Sequence, residues 1–374
     1  MVKTQQNGRF DRFNGRRNNV KKILVINVGS TSTKVAYYED KTCVCKTNLE
    51  HPVEELSQFN SIFEQKDYRT GKVTEFCKEN GVVISELDAI TARGGHTRPI
   101  PGGVYEVNEV MLREQKSGLF GSHPCDVGSA MAYDMAQELG CKAFIVDPPI
   151  TDEYFPLARY GGHPLMERQS KFHALSHKAT AKRYCREYGF DYNNINILTI
   201  HLGGGTSIAM HANGKMIDGT NGIEGDGPFS TNRSGVLMAK YLADVIYSEK
   251  YTKQEVYKMI QGKGGLMAYI GEQDVQKCTK MAETDPKVKE VLEAMMYQTA
   301  KFAAGVTVAV NGKVDQILLT GGIAYSEWLT GILKERLSFI APITVYPGEN
   351  EMESLATGAF EALTGEVEIQ RIED

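Results

Sequence analysis

A sequence of 374 residues is long enough for two domains of ordinary size, and its 41% hydrophobic and 24% charged residues can form buried cores, which excludes global disorder. No apolar run approaches the roughly 20 residues of a membrane helix. The seven cysteines are irregularly spaced and include no CxxC pair. This pattern favours reduced thiols in a cytoplasmic protein over a disulfide framework or a zinc ribbon. The net charge of −5 is uneven, with +6 in residues 1–22 and −11 in the remainder.

The first predicted element in chain order is a basic tail, residues 1–21, which we expect to be disordered. Its segment "NGRFDRFNGRRNN" lacks the apolar core of a secretory signal. Such a charge could contact nucleic acid or anionic lipid. Because the body of the protein is acidic, we expect neither nucleic acid nor a membrane as a partner.

From Ile23 onward, strand patterns alternate with helix patterns. In the first half we expect strands at 23–30, 34–40 and 142–147, and helices at 126–140 and 170–189; Asp126 is the predicted N-cap, and Gly140 and Gly189 are the predicted helix ends. In the second half the expected strands are 195–203, 206–211, 316–322 and 343–347, and the expected helices are 234–251, 287–310, 327–337 and 354–365. This alternation predicts a three-layer α/β architecture.

A weak internal repeat relates the two halves. With a constant offset of 174 residues, Ile23 matches Ile197, Gly29 matches Gly203 and Thr33 matches Ser207. Each half therefore begins with a strand, a glycine-led turn and a second strand. The repeat predicts two related domains whose turns face one cleft.

The two turns have a composition suited to phosphate. Gly, Ser and Thr expose backbone N–H groups and small hydroxyls, and such concave donor clusters bind anions. Ordinary β-hairpins would also favour glycine. A third strand that ends at Gly321-Gly322 before a helix adds a further anion-binding candidate. No P-loop motif and no strand-linked GxGxxG occurs.

Five segments, in order, resemble the acetate kinase family of the sugar kinase, Hsp70 and actin superfamily: "ILVINVGSTSTKVA", "HLGGGTSIAMHANGKMIDGTNG", "DGPFSTNRSG", "LTGGIAYS" and "PGENEMESLATGA". The resemblance implies two duplicated ribonuclease-H-like domains with a cleft between them, at residues 22–175 plus 352–374 and at residues 176–351. It implies direct, reversible, Mg²⁺-dependent phosphoryl transfer between ATP and butyrate, giving ADP and butyryl phosphate. It also implies a homo-oligomer, a dimer or larger.

Phosphoryl transfer requires aligned reactants and neutralisation of the spreading negative charge. Asn27 ends the first strand, where its amide could donate to a phosphoryl oxygen or orient a metal-bound water. Arg93 follows a strand-like run, and the resemblance makes it the anchor of the acyl carboxylate or phosphate, with Arg98 as a competitor. The resemblance assigns Arg233 to stabilisation of the phosphoryl group.

The resemblance gives His173 a contact with the phosphate in the transition state, while His177, four residues on, is expected to pack in the helix. A zinc site at this pair is disfavoured because no third ligand is near in sequence. Asp147 ends a strand before two prolines, where a carboxylate could bind Mg²⁺ or steer a catalytic arginine. A simple turn-forming role is the alternative for Asp147.

The expected metal-binding residues are Glu351, Asp147 and Asn27, with Glu349 and Glu353 as neighbours that could replace Glu351. Where this chain has Gly204, acetate kinases usually carry an asparagine, so its contact is left to the backbone. The remaining nucleotide-binding candidates border the turns: Gly29, Ser30, Thr31, His201, Gly203, Gly204, Gly205, Thr206, Gly321 and Gly322.

Two alternatives stay open at this point. The acid could be a branched-chain fatty acid, propionate or acetate, because each methylene of butyrate contributes only about 0.8 kcal/mol when buried. The chain could also be an actin- or Hsp70-like scaffold that binds ATP and closes without useful turnover. Such a clamp does not require Arg93, His173 and Arg233, which favours the enzyme.

Overall fold

The computed structural model describes residues 20–374. The predicted tail therefore lies outside the described residues, apart from its last two positions. Of these, Lys21 accepts a hydrogen bond from the Asp40 backbone N–H and donates its own N–H to the Asp40 carboxylate. The strands of the described part are β1 Lys22–Val28, β2 Ser32–Glu39, β3 Thr42–Glu50, β4 Ala89–Ala92, β5 Val104–Glu106, β6 Lys142–Val146, β7 Ile197–Leu202, β8 Thr206–Ala212, β9 Lys215–Gly219, β10 Gln316–Gly321, β11 Ile343–Pro347 and β12 Ile369–Gln370. The α-helices are α1 Val53–Leu56, α2 Lys66–Glu79, α3 Glu109–Ser117, α4 Cys125–Leu139, α5 Ala174–Tyr188, α6 Ala239–Ile246, α7 Lys253–Ile260, α8 Gly265–Ile270, α9 Val275–Met281, α10 Pro286–Val306, α11 Glu327–Leu337 and α12 Glu351–Thr364.

The strands form two sheets with the same central arrangement. The first has the order β12-β5-β6-β4-β1-β2-β3 and the second the order β11-β10-β7-β8-β9. In each sheet three antiparallel strands, β1-β2-β3 or β7-β8-β9, are followed by two parallel strands, β4 and β6 or β10 and β11. The predicted α/β fold with a duplicated unit is confirmed.

The predicted alignment of the two halves is wrong by one residue beyond the turn. Val28 pairs with Thr33 across the first turn, whereas Leu202 pairs with Thr206 across the second. The first turn therefore has one residue more than the second. As a result Thr33 is equivalent to Thr206, and not to Ser207 as the constant offset predicts.

Each sheet is covered by helices on both faces, because successive strand residues point to opposite sides. Leu24 and Ile26 of β1 face α4, while Ile23 and Val25 face α12. In the second sheet, alternate residues of β7 contact α10 on one face and α5 on the other. The chain's last helix thus returns to the first sheet, and β12 pairs with β5 there.

Several predicted helix boundaries are wrong because tertiary contacts or glycine conformations override local pattern. Asp126 is not the N-cap of α4, since the cap is Pro124 and the Asp126 carboxylate accepts the backbone N–H groups of His96 and His123 instead. The predicted helix at 170–189 begins only at Ala174, although Gly189 ends it as expected. The predicted helix at 234–251 is reduced to α6, because Gly235 has a φ of +62°, which a helix cannot include.

Two further features bear on the predictions. All seven cysteines are free thiols, in agreement with the sequence. None of the helices in residues 20–374 combines the length and apolar character that crossing a membrane requires.

Candidate active site

A cavity of about 780 Å³ lies between loops that follow the two sheets. Arg93, His173 and Arg233 all line it, although they are far apart in sequence. A smaller pocket nearby is lined by Arg93, His173, Glu351 and Asp147. The structure therefore brings five of the candidate residues to one region at the carboxyl ends of β4 and β1.

A buried hydrogen bond joins the Asn27 and Glu351 side chains beside the first sheet. Asn27 is the next-to-last residue of β1 and Glu351 is the first residue of α12. The Asn27 amide donates to the Glu351 carboxylate over 2.7 Å in a buried environment. Arg93 lies 3.6 Å from the other Glu351 oxygen. Burial alone would raise the pKa of Glu351, but the Arg93 charge and the Asn27 hydrogen bond outweigh it and lower that pKa. The Glu351 carboxylate is thus held ionised in the cleft.

The two glutamates that flank Glu351 in sequence lie in different places. A Glu349 oxygen is 3.9 Å from the Lys34 ammonium, and its other oxygen is 3.9 Å from Nε2 of His201. Burial and repulsion by Glu351 raise the pKa of Glu349. Glu353 instead lines a separate pocket behind the site. Of the three, Glu351 is the most buried and the closest to Asn27 and Arg93.

Arg233 is a half-buried cation whose partners are backbone groups. Its guanidinium donates to the carbonyl of Gly222, and no carboxylate within residues 20–374 forms an ion pair with it. It lies directly over Gly205, where a Cβ would come within 1.9 Å of its Nη1. A glycine is therefore required there for the arginine to occupy this position. Arg98, by contrast, is paired with Glu114.

The first glycine turn is built on a buried arginine that sequence reasoning missed. Arg69 of α2 is fully buried and donates to the carbonyl oxygens of Ser30 (2.9 Å) and Ser32 (3.1 Å) and to the Thr33 hydroxyl (3.0 Å). Because these carbonyls point inward to Arg69, the exposed Ser30 and Thr31 stay at the outer side of the turn. The sequence predicts no element for residues 66–79, so nothing in the pattern marked Arg69 as part of the site.

The second turn has a buried group without a partner. The hydroxyl of Thr206 is buried and forms no hydrogen bond among the described residues. Ser230 and Thr231 donate to the carbonyl of Gly204 from below, at 2.8 and 3.2 Å, while the position of a Cβ on Gly204 is open. This side of the turn is thus free to face a ligand.

His173 and His201 stack on each other. Their ring centroids are 4.0 Å apart with an interplanar angle of 18°. Burial, and then the neighbouring imidazoles, lower the pKa of His173 well below 6.5, and burial lowers the pKa of His201 to about 4. Both rings are therefore neutral near pH 7, and they can offer N–H donors but no positive charge. His177 packs in the helix, as expected, and its ring contacts His201 edge-on.

The Asp147 carboxylate lies beside two lysines of α5. Asp147 has a φ of +40°, and its oxygens lie 3.9 Å from the Lys178 ammonium and 3.5 Å from that of Lys182. Lys178 in turn binds Glu153 at 2.6 Å. In this arrangement the Asp147 side chain is directed toward lysines of α5, although the residue also lines the smaller pocket with Glu351.

Gly321 and Gly322 lie at the end of β10. Gly321 has a φ of +93°, and a Cβ there would come within 2.3 Å of the backbone of Leu202. Gly321 is therefore required for the close approach of β10 to the end of β7. Gly322 has no neighbour within 4 Å of a Cβ position and so borders open space beside the second turn.

Comparison with known proteins identifies the family. Residues 153–334 match the acetokinase family. A probable butyrate kinase from Bacteroides thetaiotaomicron is 46% identical over 351 residues, covering 93% of this chain and 99% of the relative. Butyrate kinase 2 from Clostridium acetobutylicum is 43% identical over 353 residues, covering 94% and 99%. The chain belongs to the acetokinase family.

Solved structures of the family agree on the fold. Acetate kinase from Porphyromonas gingivalis aligns with a TM-score of 0.75 at 18% identity, covering 92% of this chain and all of that one (100%). A propionate kinase from Francisella tularensis aligns with a TM-score of 0.66 at 20% identity, covering 90% and 98%. As a member of this family the chain is a carboxylate kinase that uses ATP or ADP, so the scaffold hypothesis is not supported.

The donors around Glu351 fit a hard divalent cation. Mg²⁺ prefers oxygen ligands and binds through one or two carboxylates together with phosphate oxygens and water. The ionised Glu351 carboxylate, with the amide oxygen of Asn27 nearby, provides such ligands beside the two turns. The compact group His96, Cys125 and Asp126 does not suit this ion, and the Asp126 oxygens are already hydrogen-bonded to two backbone amides.

Proposed function

We propose that this carboxylate kinase is a butyrate kinase, which converts butyrate and ATP into butyryl phosphate and ADP reversibly. The observation that carries the proposal is the joint position of Arg93, His173 and Arg233 on one cavity that also has apolar walls. The names of the curated relatives support the same substrate. Branched-chain fatty acid, propionate and acetate kinases are the alternatives.

The acid would lie with its carboxylate at Arg93 and its alkyl chain on the apolar wall. Pro149, Ile150 and Phe172 line the same cavity as Arg93. Butyrate has two methylenes more than acetate, and each contributes about 0.8 kcal/mol when fully buried. A preference of about tenfold for butyrate over acetate is therefore the expected scale.

The nucleotide would lie along the second sheet. Gly203, Gly204 and Gly205 would border the phosphates, with the unpartnered Thr206 hydroxyl as a donor, and Gly321 and Gly322 would border the nucleoside. Gly29, Ser30 and Thr31 would face the transferred phosphoryl group from the first sheet. Glu351 and Asn27 would hold Mg²⁺, which neutralises phosphate charge when bound; for Asp147 this role requires its side chain to turn away from Lys178 and Lys182.

Transfer would proceed in line and without a covalent intermediate. Arg93 fixes the attacking carboxylate, and Arg233 provides a positive charge for the phosphoryl oxygens as negative charge spreads over them. The neutral His173 donates a hydrogen bond to the same oxygens. Because no carboxylate within residues 20–374 pairs with Arg233, its charge is available to the substrate phosphate.

We also propose that the protein is a homo-oligomer that contacts its copies through the region of α6. This amphipathic helix contains no buried residue, and the exposed apolar side chains of this region include Leu237, Met238, Tyr241, Ile246 and Tyr247. Large exposed apolar patches on soluble proteins often mark interaction sites.

The decisive experiment is a kinase assay across acids of two to five carbons, with the acyl phosphate trapped as its hydroxamate. Butyrate should give the highest kcat/KM, and activity should require Mg²⁺. A clear preference for acetate would overturn the butyrate assignment. ATP binding without stimulation of ADP formation by any of the acids would overturn the kinase proposal itself.

A further inference from the structure

A continuous chain of hydrogen bonds runs through the buried layer between α5 and the second sheet and ends at His173. The Tyr192 hydroxyl lies 2.8 Å from Nδ1 of His211, and Nε2 of His211 lies 2.9 Å from the Thr199 hydroxyl. That hydroxyl lies 2.5 Å from Nδ1 of His177. Nε2 of His177 and Nδ1 of His173 both lie 2.8 Å from the Ser207 hydroxyl.

The chain exists because one face of the β7–β8 pair is polar although it is buried. Thr199 and His201 of β7 alternate with apolar residues, as do Ser207 and His211 of β8. The strand register places His201 beside Ser207. None of these four side chains is more than 2% exposed. Buried polar groups of this kind are retained only when they are hydrogen-bonded, and here each is.

The protonation states of the histidines determine which group donates and which accepts in each of these hydrogen bonds. All its histidines are neutral, because burial lowers the pKa of His211 to about 3 and that of His177 well below 6.5. Each ring therefore donates with one nitrogen and accepts with the other. The only hydrogen-bond partner of the Tyr192 hydroxyl in residues 20–374 is Nδ1 of His211. The Tyr192 hydroxyl therefore donates to Nδ1 of His211. Because Nδ1 accepts this hydrogen bond, the proton of the neutral His211 ring is on Nε2.

The same rule then fixes every following donor. His211 donates from Nε2 to Thr199, and the Thr199 hydroxyl donates to Nδ1 of His177 at 2.5 Å, since its other acceptor, the carbonyl of Ala209, is distant at 3.4 Å. His177 donates from Nε2 to Ser207, whose hydroxyl donates to Nδ1 of His173. The remaining proton of His173 is thus on Nε2.

A hydrogen bond from a separate hydroxyl fixes the same tautomer in His201. The hydroxyl of Ser176 lies 2.9 Å from Nδ1 of His201 and has no other hydrogen-bond acceptor in the described part of the chain. The proton of His201 is therefore on Nε2, the nitrogen nearest to Gly203 and to Glu349. The two stacked rings carry their protons on equivalent nitrogens.

We propose that Tyr192, His211, Thr199, His177 and Ser207 form a relay of positioning residues that fixes the Nε2–H tautomer of His173, so that His173 is a hydrogen-bond donor before the substrate arrives. The use of that donor for phosphoryl oxygens rests on the proposed kinase function. The tautomer itself does not, because it follows from the contacts within the chain. No proton is transferred along the relay during the reaction.

The tautomer can be read without substrate. In the full-length protein with ¹⁵N-labelled histidine, two-bond ¹H–¹⁵N spectra at pH 7.5 should show His173, His177, His201 and His211 as Nε2–H tautomers, each assigned by its His→Gln variant. A wild-type His173 with its proton on Nδ1 would overturn the relay, even in a fully active enzyme. If the tautomers are as stated and no acid is phosphorylated, the proposed function fails and the relay stands.

The middle of the relay offers a matched set of variants. Thr199→Val removes the hydroxyl with little change of shape and should give mixed His173 tautomers and a kcat at least about tenfold lower, with the KM for the acid changed less than about twofold. Thr199→Ser should restore both the tautomer and kcat. Thr299→Val is the control, because its buried hydroxyl bonds only to a carbonyl of its own helix. An Nε2–H tautomer that persists unchanged in Thr199→Val would refute the relay.

Discussion

At the scale of single residues, one set of side chains in the site carries positive charge and another set consists of neutral hydrogen-bond donors. The permanent cations are Arg93 and Arg233, whereas His173 and His201 are neutral because burial lowers their pKa values. Phosphoryl transfer needs both kinds of group, since charge must be neutralised and oxygens must be oriented. On the proposed function, the arginines would stabilise the developing negative charge and the neutral histidines would orient the phosphoryl oxygens through hydrogen bonds.

Arg233→Ala should lower kcat by at least about a hundredfold while leaving the fold intact, because the variant removes the positive charge expected at the phosphoryl group. Steady-state kinetics with butyrate and ATP, together with thermal denaturation, measure both effects. Arg336→Ala is the control, since that arginine is exposed on α11. Near-normal turnover in Arg233→Ala would remove the residue from the site.

Glu351→Gln should raise the Mg²⁺ concentration for half-maximal activity by about tenfold or more, because a neutral amide is a weaker ligand for a hard cation. Glu353→Gln is the matched control in the same helical turn, and its side chain lines another pocket. Titration of activity with Mg²⁺ compares the two variants. Equal Mg²⁺ dependence in both would show that Glu351 is not the metal-binding glutamate.

At the scale of elements, the two glycine turns have equivalent places in the sheets but are supported differently. Arg69 lies beneath the first turn and binds its carbonyls, while Arg233 lies over the second, at Gly205. The first is one residue longer. The duplicated scaffold has thus diverged at its two glycine turns.

Gly205→Ala should lower kcat at least about tenfold with little loss of thermal stability. A Cβ at this position would come within 1.9 Å of the Arg233 guanidinium, and the flexible end of that side chain can move away without disturbing the backbone. Gly331→Ala is the control, because it adds the same methyl group on α11 rather than in a turn, with no neighbour within 4 Å. Kinetics and melting temperatures of both variants test this. A kcat as high in Gly205→Ala as in Gly331→Ala would contradict the placement of Arg233.

The strands and turns that carry the site could be predicted from the sequence because their apolar runs end at glycines. The relay could not. The available signal was polar residues within fully buried strands, at alternate positions in "ILTIHL" and at Thr206, Ser207 and His211 in "TSIAMHA". The start of α5 and the interruption at Gly235 depend on tertiary contacts and on a positive φ. Arg69 was missed because its partners are backbone carbonyls distant in sequence.

At the scale of the whole molecule, buried neutral histidines couple stability to pH. His51 and His201 have pKa values lowered to about 4, and burial is the main cause in both. In the unfolded chain each protonates near 6.5. The unfolded state therefore binds more protons below that pH, and the stability present above pH 6.5 is lost as the pH falls toward 4.

His51→Asn should reduce the pH dependence of the free energy of unfolding between pH 6 and pH 4.5 by up to about 1.4 kcal/mol per pH unit, the contribution of one proton. Urea denaturation at several pH values measures this slope. His163→Asn, at an exposed position, should leave the slope unchanged. An unchanged slope in His51→Asn would mean that His51 is protonated in the folded protein.

Closure of two lobes is the largest motion that the arrangement suggests. We propose that residues 22–175 plus 352–374 and residues 176–351 move as units about the Glu153 carboxylate, which accepts hydrogen bonds from Lys178 (2.6 Å), Gly102 (2.9 Å) and Met216 (2.7 Å) and so joins both halves. The cavity that holds Arg93 and Arg233 lies between the same halves. Motion about the joined side would narrow that cavity.

Closure on substrates would exclude water and so limit wasteful hydrolysis of ATP. Small-angle X-ray scattering should therefore show a smaller radius of gyration with a non-hydrolysable ATP analogue, Mg²⁺ and butyrate together than with no ligand. Butyrate alone is the control, because it lacks the phosphates that both turns would contact. The forward scattering must stay constant, since a change in oligomeric state would also alter the radius. If the radius is the same with and without the full ligand set, the two halves do not close around the cavity, and water must be excluded by local loops at Arg93 and Arg233.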